Sequence, residues 1–401
     1  MNPAGPERVY IHLGSPKTGT TYLQEVLWNN RTDLRRAGVL YPGSRPDAHF
    51  HAALDLQHKQ FQSDWFDENV PHAWSRLVAE AAEWPGTVVI SHELFCTATP
   101  EQIERAMNDL SSAEVHLVCT ARDLLRQLPA VWQEDVKNRH TLSFEEFVGG
   151  IRGTTEETNP LSELFWPRQD TAAILDKWAA DVPAERVHVI TVPPRGGDPT
   201  TVWNRFAELI GVQPEAFDTA VRRPNRSLGV AETEVIRKLN QRLNERIPWS
   251  EHDETVKTRI AGGILGGRKP RTPLEVPAEH RQWIGEQSER MISELAESGY
   301  HVIGDLAELR PGESSTAPLS HPDAADPEET TEVAVELLAE LISDPPVRVL
   351  EPEPDPRDPA PTGVRQSLVH LCEQHPASRK ALELYRGGRR TLREARSRST
   401  R

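Results

Sequence analysis

The segment Gly14-Ser15-Pro16-Lys17-Thr18-Gly19-Thr20-Thr21 restricts the fold of this chain more than any other part of the sequence. The apolar run 8–13 before it is typical of a β-strand, and the segment 22–28 after it has helical spacing. A strand, a turn rich in Gly and Thr, and a helix form an anion-binding cradle, because the backbone N–H groups of the turn and the positive end of the helix dipole face one point. The sequence therefore predicts a phosphate site at its first strand-to-helix turn.

The order of residues in this segment separates it from the loop of nucleoside triphosphatases. In a Walker A loop the lysine directly follows the second glycine, whereas Lys17 comes two residues before Gly19. The order P-K-T-G-T-T resembles the 5′-phosphosulfate loop of the sulfotransferases that use 3′-phosphoadenosine 5′-phosphosulfate (PAPS). The resemblance covers about residues 8–310. The nucleotide contacts that it implies in this loop are Ser15, Pro16, Lys17, Thr18, Gly19, Thr20 and Thr21.

The same resemblance implies an activity. PAPS would be the cosubstrate, and a sulfuryl group would pass in line to a hydroxyl or amine of a carbohydrate, glycolipid or small-molecule acceptor. Lys17 would neutralise the charge that develops on the leaving phosphate. This scheme requires no metal, and no spacing of metal ligands in the sequence suggests one.

Further apolar segments predict a parallel sheet. Strands are expected at 38–43, 87–92, 115–120 and 186–192, and helices at 100–110, 124–138, 171–180, 200–210, 230–243 and 278–298. Strands that alternate with helices favour parallel crossovers and a sheet covered by helices. We therefore expect a P-loop-like, three-layer α/β domain over residues 1–310, with 300–309 packing against the sheet.

A second part of the nucleotide site is expected after the strand at 115–120. Arg122 matches the arginine with which sulfotransferases bind the 3′-phosphate of PAPS, and a guanidinium suits a phosphate dianion. The family places a serine eight residues later, but Ala130 stands there; Gln127 and Arg126 are possible substitute donors. The turn before the helix at 230 resembles the family's late basic loop in position and charge. Its candidate residues are Arg222, Arg223, Arg226 and Ser227, although a solvated turn explains them equally well.

Two clusters offer a catalytic base that would deprotonate the acceptor. His92 and Glu93 follow the third strand at its C-terminal end, where a doubly wound sheet exposes its site. His51, with Asp55 one turn later, follows the second strand, and a histidine beside a carboxylate is a suitable general base. The sequence does not rank these three candidates.

The net charge and the cysteine content limit the cellular compartments and the binding partners expected for this protein. The net charge of −15 argues against a nucleic-acid partner. Three cysteines at unrelated spacings suggest no disulfide framework, no apolar run is long enough to span a membrane, and no signal peptide is recognisable. We therefore expect a cytoplasmic location.

The sequence after Arg310 differs in character. Residues 311–365 are rich in Pro and acidic residues, with thirteen Asp and Glu against two Arg from 311 to 361, and predict a linker. The linker contains an amphipathic helix at about 328–342 that packs either on its own domain or on a partner. For residues 366–401 we expect a basic helical or disordered tail, and a solvated state is favoured over contact with nucleic acid or a membrane.

The sequence is also compatible with two other functions. A P-loop nucleotide kinase would need an acidic, magnesium-binding residue at the end of a strand, for which Glu93 and Asp123 are the candidates. A protein that binds the nucleotide without catalysis would explain the alanine at position 130.

Overall fold

The structure is a computed structural model of the chain. It describes residues 5–59, 67–155, 159–221, 227–244, 246–312 and 321–343. The strands are β1 (Arg8–His12), β2 (Val39–Leu40), β3 (Thr87–Ser91), β4 (Glu114–Ala121), β5 (Val187–Thr191) and β6 (His301–Ile303). They form one sheet in the order β2-β3-β1-β4-β5-β6, with every neighbouring pair parallel. The predicted parallel sheet is confirmed, and β6 lies in the segment expected to pack against it.

Helices connect the strands and follow them. The α-helices are α1 (Thr20–Asn29), α2 (Arg31–Arg36), α3 (Ala48–Leu56), α4 (Ala73–Ala82), α5 (Pro100–Asp109), α6 (Leu124–Lys137), α7 (Phe144–Arg152), α8 (Pro160–Glu163), α9 (Phe165–Gln169), α10 (Thr171–Trp178), α11 (Thr201–Leu209), α12 (Val230–Leu243), α13 (Trp249–His252), α14 (Ala278–Glu297) and α15 (Pro327–Ser343). A π-helical segment, Asp253–Leu265, follows α13. None of the helices in the described ranges is long and apolar enough to cross a membrane.

Alternation along the strands divides the core into two layers. In β1, Val9 and Ile11 belong to a large apolar cluster that includes residues of α4, α6 and α10, whereas Tyr10 belongs to a second cluster that includes residues of α1 and α11. Successive residues of a strand face opposite sides of the sheet, so buried apolar residues at consecutive positions require helices on both faces. The three-layer α/β architecture is therefore confirmed.

Helix α15 packs on the same compact unit as the sheet. Val333 and Leu337 are buried, and Arg268 holds Glu336 at 2.7 Å and the buried Glu232 at 3.0 Å. The compact unit consequently runs to Ser343, beyond the domain end expected at Arg310, and the helix predicted at 328–342 contacts its own domain. The other parts of the expected linker, 313–320 and 344–365, and the expected tail at 366–401 lie outside the described residues.

Buried histidines make the fold sensitive to acid. Burial lowers the pKa of His12 and His252 to about 4 and that of His49 and His188 to about 3. The unfolded chain takes up these protons below about pH 6.5 and the folded chain does not, so stability is present above that pH and is lost as the pH falls. Each histidine contributes up to about 1.4 kcal/mol per pH unit.

We expect urea denaturation to give a free energy of unfolding several kcal/mol lower near pH 5 than near pH 7. The variant His188→Gln removes one of these groups and should show a shallower pH dependence than the parent. Equal stability at the two pH values would contradict this account of the buried histidines.

Candidate functional site

The loop between β1 and α1 has a backbone that few residues tolerate. Gly14, Lys17 and Gly19 have φ angles of 60°, 71° and 90°, a left-handed region that glycine enters without strain. A Cβ on Gly14 would also lie 2.6 Å from Cγ2 of Thr20 and 3.2 Å from Cα of Glu93. The glycines therefore allow the loop to turn sharply against the end of β3.

Two of the predicted loop residues face the sheet. Thr18 Oγ1 donates to the carbonyl oxygen of Ser15 at 2.6 Å and lies 2.5 Å from Thr120 Oγ1. Ser15 Oγ contacts Cys119 Sγ at 3.8 Å, and both Ser15 and Thr18 have no exposed surface. Their side chains stabilise the turn and do not line the cavity in front of the loop.

A cavity of about 450 Å³ lies at the C-terminal edge of the sheet, in front of this loop. It brings together eight of the predicted site residues, from the loop, β3, β4 and the segment before α12. Its lining consists of Pro16, Lys17, Gly19, Thr20, Thr21, Tyr22, Glu25, Glu93, Arg122, Ala130, Gln133, Glu134, Lys137, Val221 and Ser227. Arg222, Arg223 and Arg226 lie outside the described residues, between two residues of this lining.

The N-terminus of α1 opens into the cavity. The helix begins at Thr20 after the left-handed Gly19, and among the described residues no side chain caps it. The first N–H groups of a helix have no partner within the helix, and they carry partial positive charge. This helix start therefore offers donors to an anion, as the sequence predicts.

Lys17 points from the loop to a carboxylate on α6. Its Nζ lies 2.6 Å from Oε2 of Glu134, and Lys257 Nζ lies 3.4 Å from the other oxygen of Glu134. Burial favours the neutral acid, but Lys17, Lys257 and Lys137 outweigh it and lower the pKa of Glu134 to about 2. Glu134 is thus a carboxylate that holds the Lys17 ammonium in place.

Arg122 follows β4 and supports the same loop. Its Nη1 donates to the carbonyl oxygen of Lys17 at 3.0 Å, whereas its buried Nε has no partner among the described residues. Burial lowers the pKa of Arg122 to about 10, so the guanidinium is charged at neutral pH. A buried donor without a partner is costly, and a bound anion would satisfy it.

The two expected substitutes for the missing serine are engaged elsewhere. Arg126 pairs with Asp123 and donates to the carbonyl oxygen of Pro193, and it lines a separate cavity. Gln127 is buried against Gln169 and the carbonyl oxygen of Pro16. Neither side chain lines the cavity at the loop, so neither replaces a hydroxyl at Ala130.

Of the three candidate bases, only Glu93 lines the cavity. Gln24 Nε2 donates to its Oε2 at 3.0 Å, and His92 Nε2 lies 4.0 Å from the same oxygen. Burial opposes the charge, but His92, the backbone and Gln24 together lower the pKa of Glu93. Burial lowers the pKa of His92, which accepts a hydrogen bond from the backbone N–H of Leu94 at its Nδ1. Glu93 is therefore an ionised carboxylate beside the loop.

His51 and Asp55 do not pair with each other as the sequence suggests. The His51 side chain is 4 % exposed, with Nε2 3.1 Å from Asp67 Oδ2 and Nδ1 3.9 Å from Asp47. Asp55 accepts from the backbone N–H groups of His72 and Trp74, and so holds the start of α4. The Asp55 carboxylate, which was expected to assist His51, instead stabilises the N-terminus of α4.

Glu134, Gln133 and Lys137 are site residues that the sequence interpretation missed. Together with Ala130 they have the spacing i, i+3, i+4 and i+7, which places them on one face of α6. This spacing is visible in the sequence once a helix is assumed after Arg122. It does not by itself distinguish a cavity face from a solvent face.

Comparisons with known proteins give little further information. No family model matches the chain, and no curated protein matches it significantly. Among solved structures, a sulfotransferase from Alicyclobacillus acidocaldarius is similar over 53 % of this chain and 85 % of that chain, at 19 % sequence identity and a TM-score of 0.36. A similarity this low assigns no activity to the chain.

Proposed function

We propose that this protein is a sulfotransferase that takes its sulfuryl group from PAPS and transfers it to a hydroxyl or amine of a carbohydrate, glycolipid or small molecule. The observation that carries the proposal is the convergence of Lys17, Arg122 and the uncapped start of α1 on one cavity. When bound, PAPS supplies an activated sulfuryl group whose S–O bond to the nucleotide phosphate breaks as a bond to the acceptor forms, leaving adenosine 3′,5′-bisphosphate.

The cavity residues fit the charge of this nucleotide. The loop and the first N–H groups of α1 would hold the phosphosulfate, with Lys17 near the bridging oxygen. Arg122, whose Nε has no partner among the described residues, would hold a further phosphate. Of the four candidate residues in the predicted basic turn, the structure describes Ser227. Ser227 lines the same cavity and could offer its hydroxyl to the nucleotide.

A nucleotide kinase is less well supported. Asp123, one of the two acidic residues that could hold magnesium, accepts from the backbone N–H of Arg126 and pairs with its side chain. It thereby starts α6 and does not line the cavity. Glu93 does line it, but Lys17 stands before Gly19, where a Walker A loop would have it after the glycine.

We assign the role of general base to Glu93. It is ionised, it lines the cavity, and it touches the phosphate loop through the close approach of Gly14. In this role it accepts the proton that the acceptor hydroxyl or amine loses as it attacks. Glu93→Gln keeps the size of the side chain and removes its charge.

We expect Glu93→Gln to lower kcat about 10²-fold or more while the affinity for adenosine 3′,5′-bisphosphate stays within about threefold. His51→Gln is the matched control, since His51 is buried and does not line the cavity; its kcat should stay close to that of the parent. If His51→Gln loses activity and Glu93→Gln does not, the base has been assigned to the wrong cluster.

The activity itself is tested by incubating the protein with PAPS and a mixed pool of sugars, glycolipids and phenols, and by following the release of adenosine 3′,5′-bisphosphate together with the sulfated product by mass spectrometry. We expect release that depends on the acceptor. A protein that binds the bisphosphate but never forms a sulfated product with any of these acceptors would instead be a non-catalytic binding protein.

A further inference from the structure

Four polar side chains with no exposed surface form a chain of hydrogen bonds beneath the loop. They are Ser91 on β3, His12 on β1, Thr120 on β4 and Thr18 in the loop itself, and we call them the buried chain. His12 Nδ1 lies 2.8 Å from Ser91 Oγ, and His12 Nε2 lies 3.3 Å from Thr120 Oγ1. Thr120 Oγ1 in turn lies 2.5 Å from Thr18 Oγ1. The buried chain therefore connects the ends of three neighbouring strands with the loop.

The hydrogen bonds of the buried chain can run in one direction only. The hydroxyl of Thr18 has a single proton, which it donates to the carbonyl oxygen of Ser15 at 2.6 Å. Thr120 must then donate its own proton to Thr18 Oγ1, and it accepts a proton from His12 Nε2. A neutral imidazole has one donor and one acceptor nitrogen, so His12 Nδ1 accepts from the hydroxyl of Ser91.

The surroundings of His12 keep its ring in the neutral state that this direction requires. Burial lowers the pKa of His12 to about 4; Glu93 opposes this effect and His92 adds to it. The ring also packs edge-on against Phe206 of α11, with the ring centroids 5.6 Å apart. At neutral pH the imidazole is consequently an uncharged bridge between the hydroxyls of two strands.

The buried chain ends beside the two groups to which we assign the chemistry. Thr18 directly follows Lys17 in the loop, and Ser91 comes two residues before Glu93. The carbonyl oxygen of His12 also accepts from the backbone N–H of His92 at 3.2 Å. His12 thus contacts the end of β3 through both its side chain and its backbone, and it reaches the loop through Thr120.

We propose that His12 is a positioning residue, which through the buried chain fixes the loop that carries Lys17 relative to Glu93 at the end of β3. The inference rests on the proposed function, in which Lys17 and Glu93 act on the same transfer. The turn itself does not need the whole chain, because Thr18 can donate to Ser15 without Thr120. Loss of the chain should therefore lower the rate of transfer more than the affinity for the nucleotide, since rates depend steeply on the placement of reacting groups.

The first test removes one hydroxyl from the buried chain. We expect Thr120→Val to lower kcat about tenfold or more, while calorimetry shows an affinity for adenosine 3′,5′-bisphosphate within about threefold of the parent value. Thr120→Ser keeps the hydroxyl and should stay within about threefold of the parent kcat. Thr191→Val is the matched control, because Thr191 is an equally buried hydroxyl at the end of β5 that bonds to Glu308 and does not line the cavity. Its kcat should stay close to that of the parent.

The second test replaces the imidazole itself. His12→Leu cannot connect the strands and should show the same loss of kcat as Thr120→Val. His12→Gln offers one amide donor and one carbonyl acceptor, so we expect it to retain several-fold more activity than His12→Leu. Equal activity of the two variants would contradict a role that depends on hydrogen bonds.

The protonation of His12 is measured on the parent protein, so that this test does not depend on the folding of any variant. Nuclear magnetic resonance of ¹⁵N-labelled histidine rings should show His12 with its proton on Nε2 and none on Nδ1 between about pH 5.5 and pH 8. A proton on Nδ1, or a kcat of Thr120→Val no lower than that of Thr191→Val, would overturn the role of His12 in an active protein. A parent protein that neither binds the bisphosphate nor forms a sulfated product would instead overturn the proposed function.

Discussion

Lys17→Ala is expected to lower the rate of sulfuryl transfer about 10²- to 10³-fold, the loss typical of removing one group that stabilises developing charge. The affinity for adenosine 3′,5′-bisphosphate should fall less than tenfold, because the loop backbone and the uncapped start of α1 remain in place. Lys17 has a φ angle of 71°, and alanine is no better suited to it than lysine, so the substitution leaves the backbone preference largely unchanged. Single-turnover kinetics and calorimetry separate the two effects.

The control for this variant is Lys257→Ala. Lys257 is the second lysine on Glu134, at 3.4 Å, and it does not line the cavity. Its loss removes the same type of ion pair without removing the charge that faces the substrate, so transfer should stay within about threefold of the parent rate. A Lys17→Ala protein that turns over at the parent rate would show that Lys17 serves only to pair with Glu134.

Arg122→Ala has the largest expected effect on binding. The guanidinium has a buried Nε that lacks a partner among the described residues, and it also donates to the carbonyl oxygen of Lys17. Its loss should weaken binding of adenosine 3′,5′-bisphosphate about 100-fold, since the proposed charge-assisted contact of the guanidinium with a phosphate would be lost. Arg122→Lys should recover only part of this loss, because an ammonium cannot reproduce the planar fork of donors.

Arg126→Ala is the matched control for Arg122. Arg126 lies one turn further along the chain, but it pairs with Asp123 and lines a different cavity. Its removal should leave the affinity for the bisphosphate within about threefold of the parent value. Equal losses in the two variants would point to a general electrostatic effect and would remove the specific role of Arg122.

The fold and the position of the cavity were predictable because they depend on local patterns. Apolar runs of four to eight residues between helical segments predict the strands β1, β3, β4 and β5 and the parallel crossovers that join them. Gly14 and Gly19 mark the turn that faces the cavity. The position of Arg122 at the cavity was predictable because this residue directly follows β4, and the C-terminal ends of parallel strands meet at one edge of the sheet.

The pairing of individual side chains was not predictable in the same way. The sequence suggested a His51–Asp55 pair from helical spacing, but Asp55 binds backbone N–H groups at the start of α4, and Asp67 lies against His51 instead. Glu134 pairs with Lys17 across 117 positions of sequence. Such contacts depend on how helices pack on the sheet, which no local spacing encodes.

The most direct test of the account is equilibrium binding of adenosine 3′,5′-bisphosphate and of ATP to the parent protein, each with and without magnesium. We expect tight binding of the bisphosphate that does not depend on magnesium, and ATP binding at least about 100-fold weaker. Magnesium-dependent binding of ATP in preference to the bisphosphate would contradict it and would favour the kinase.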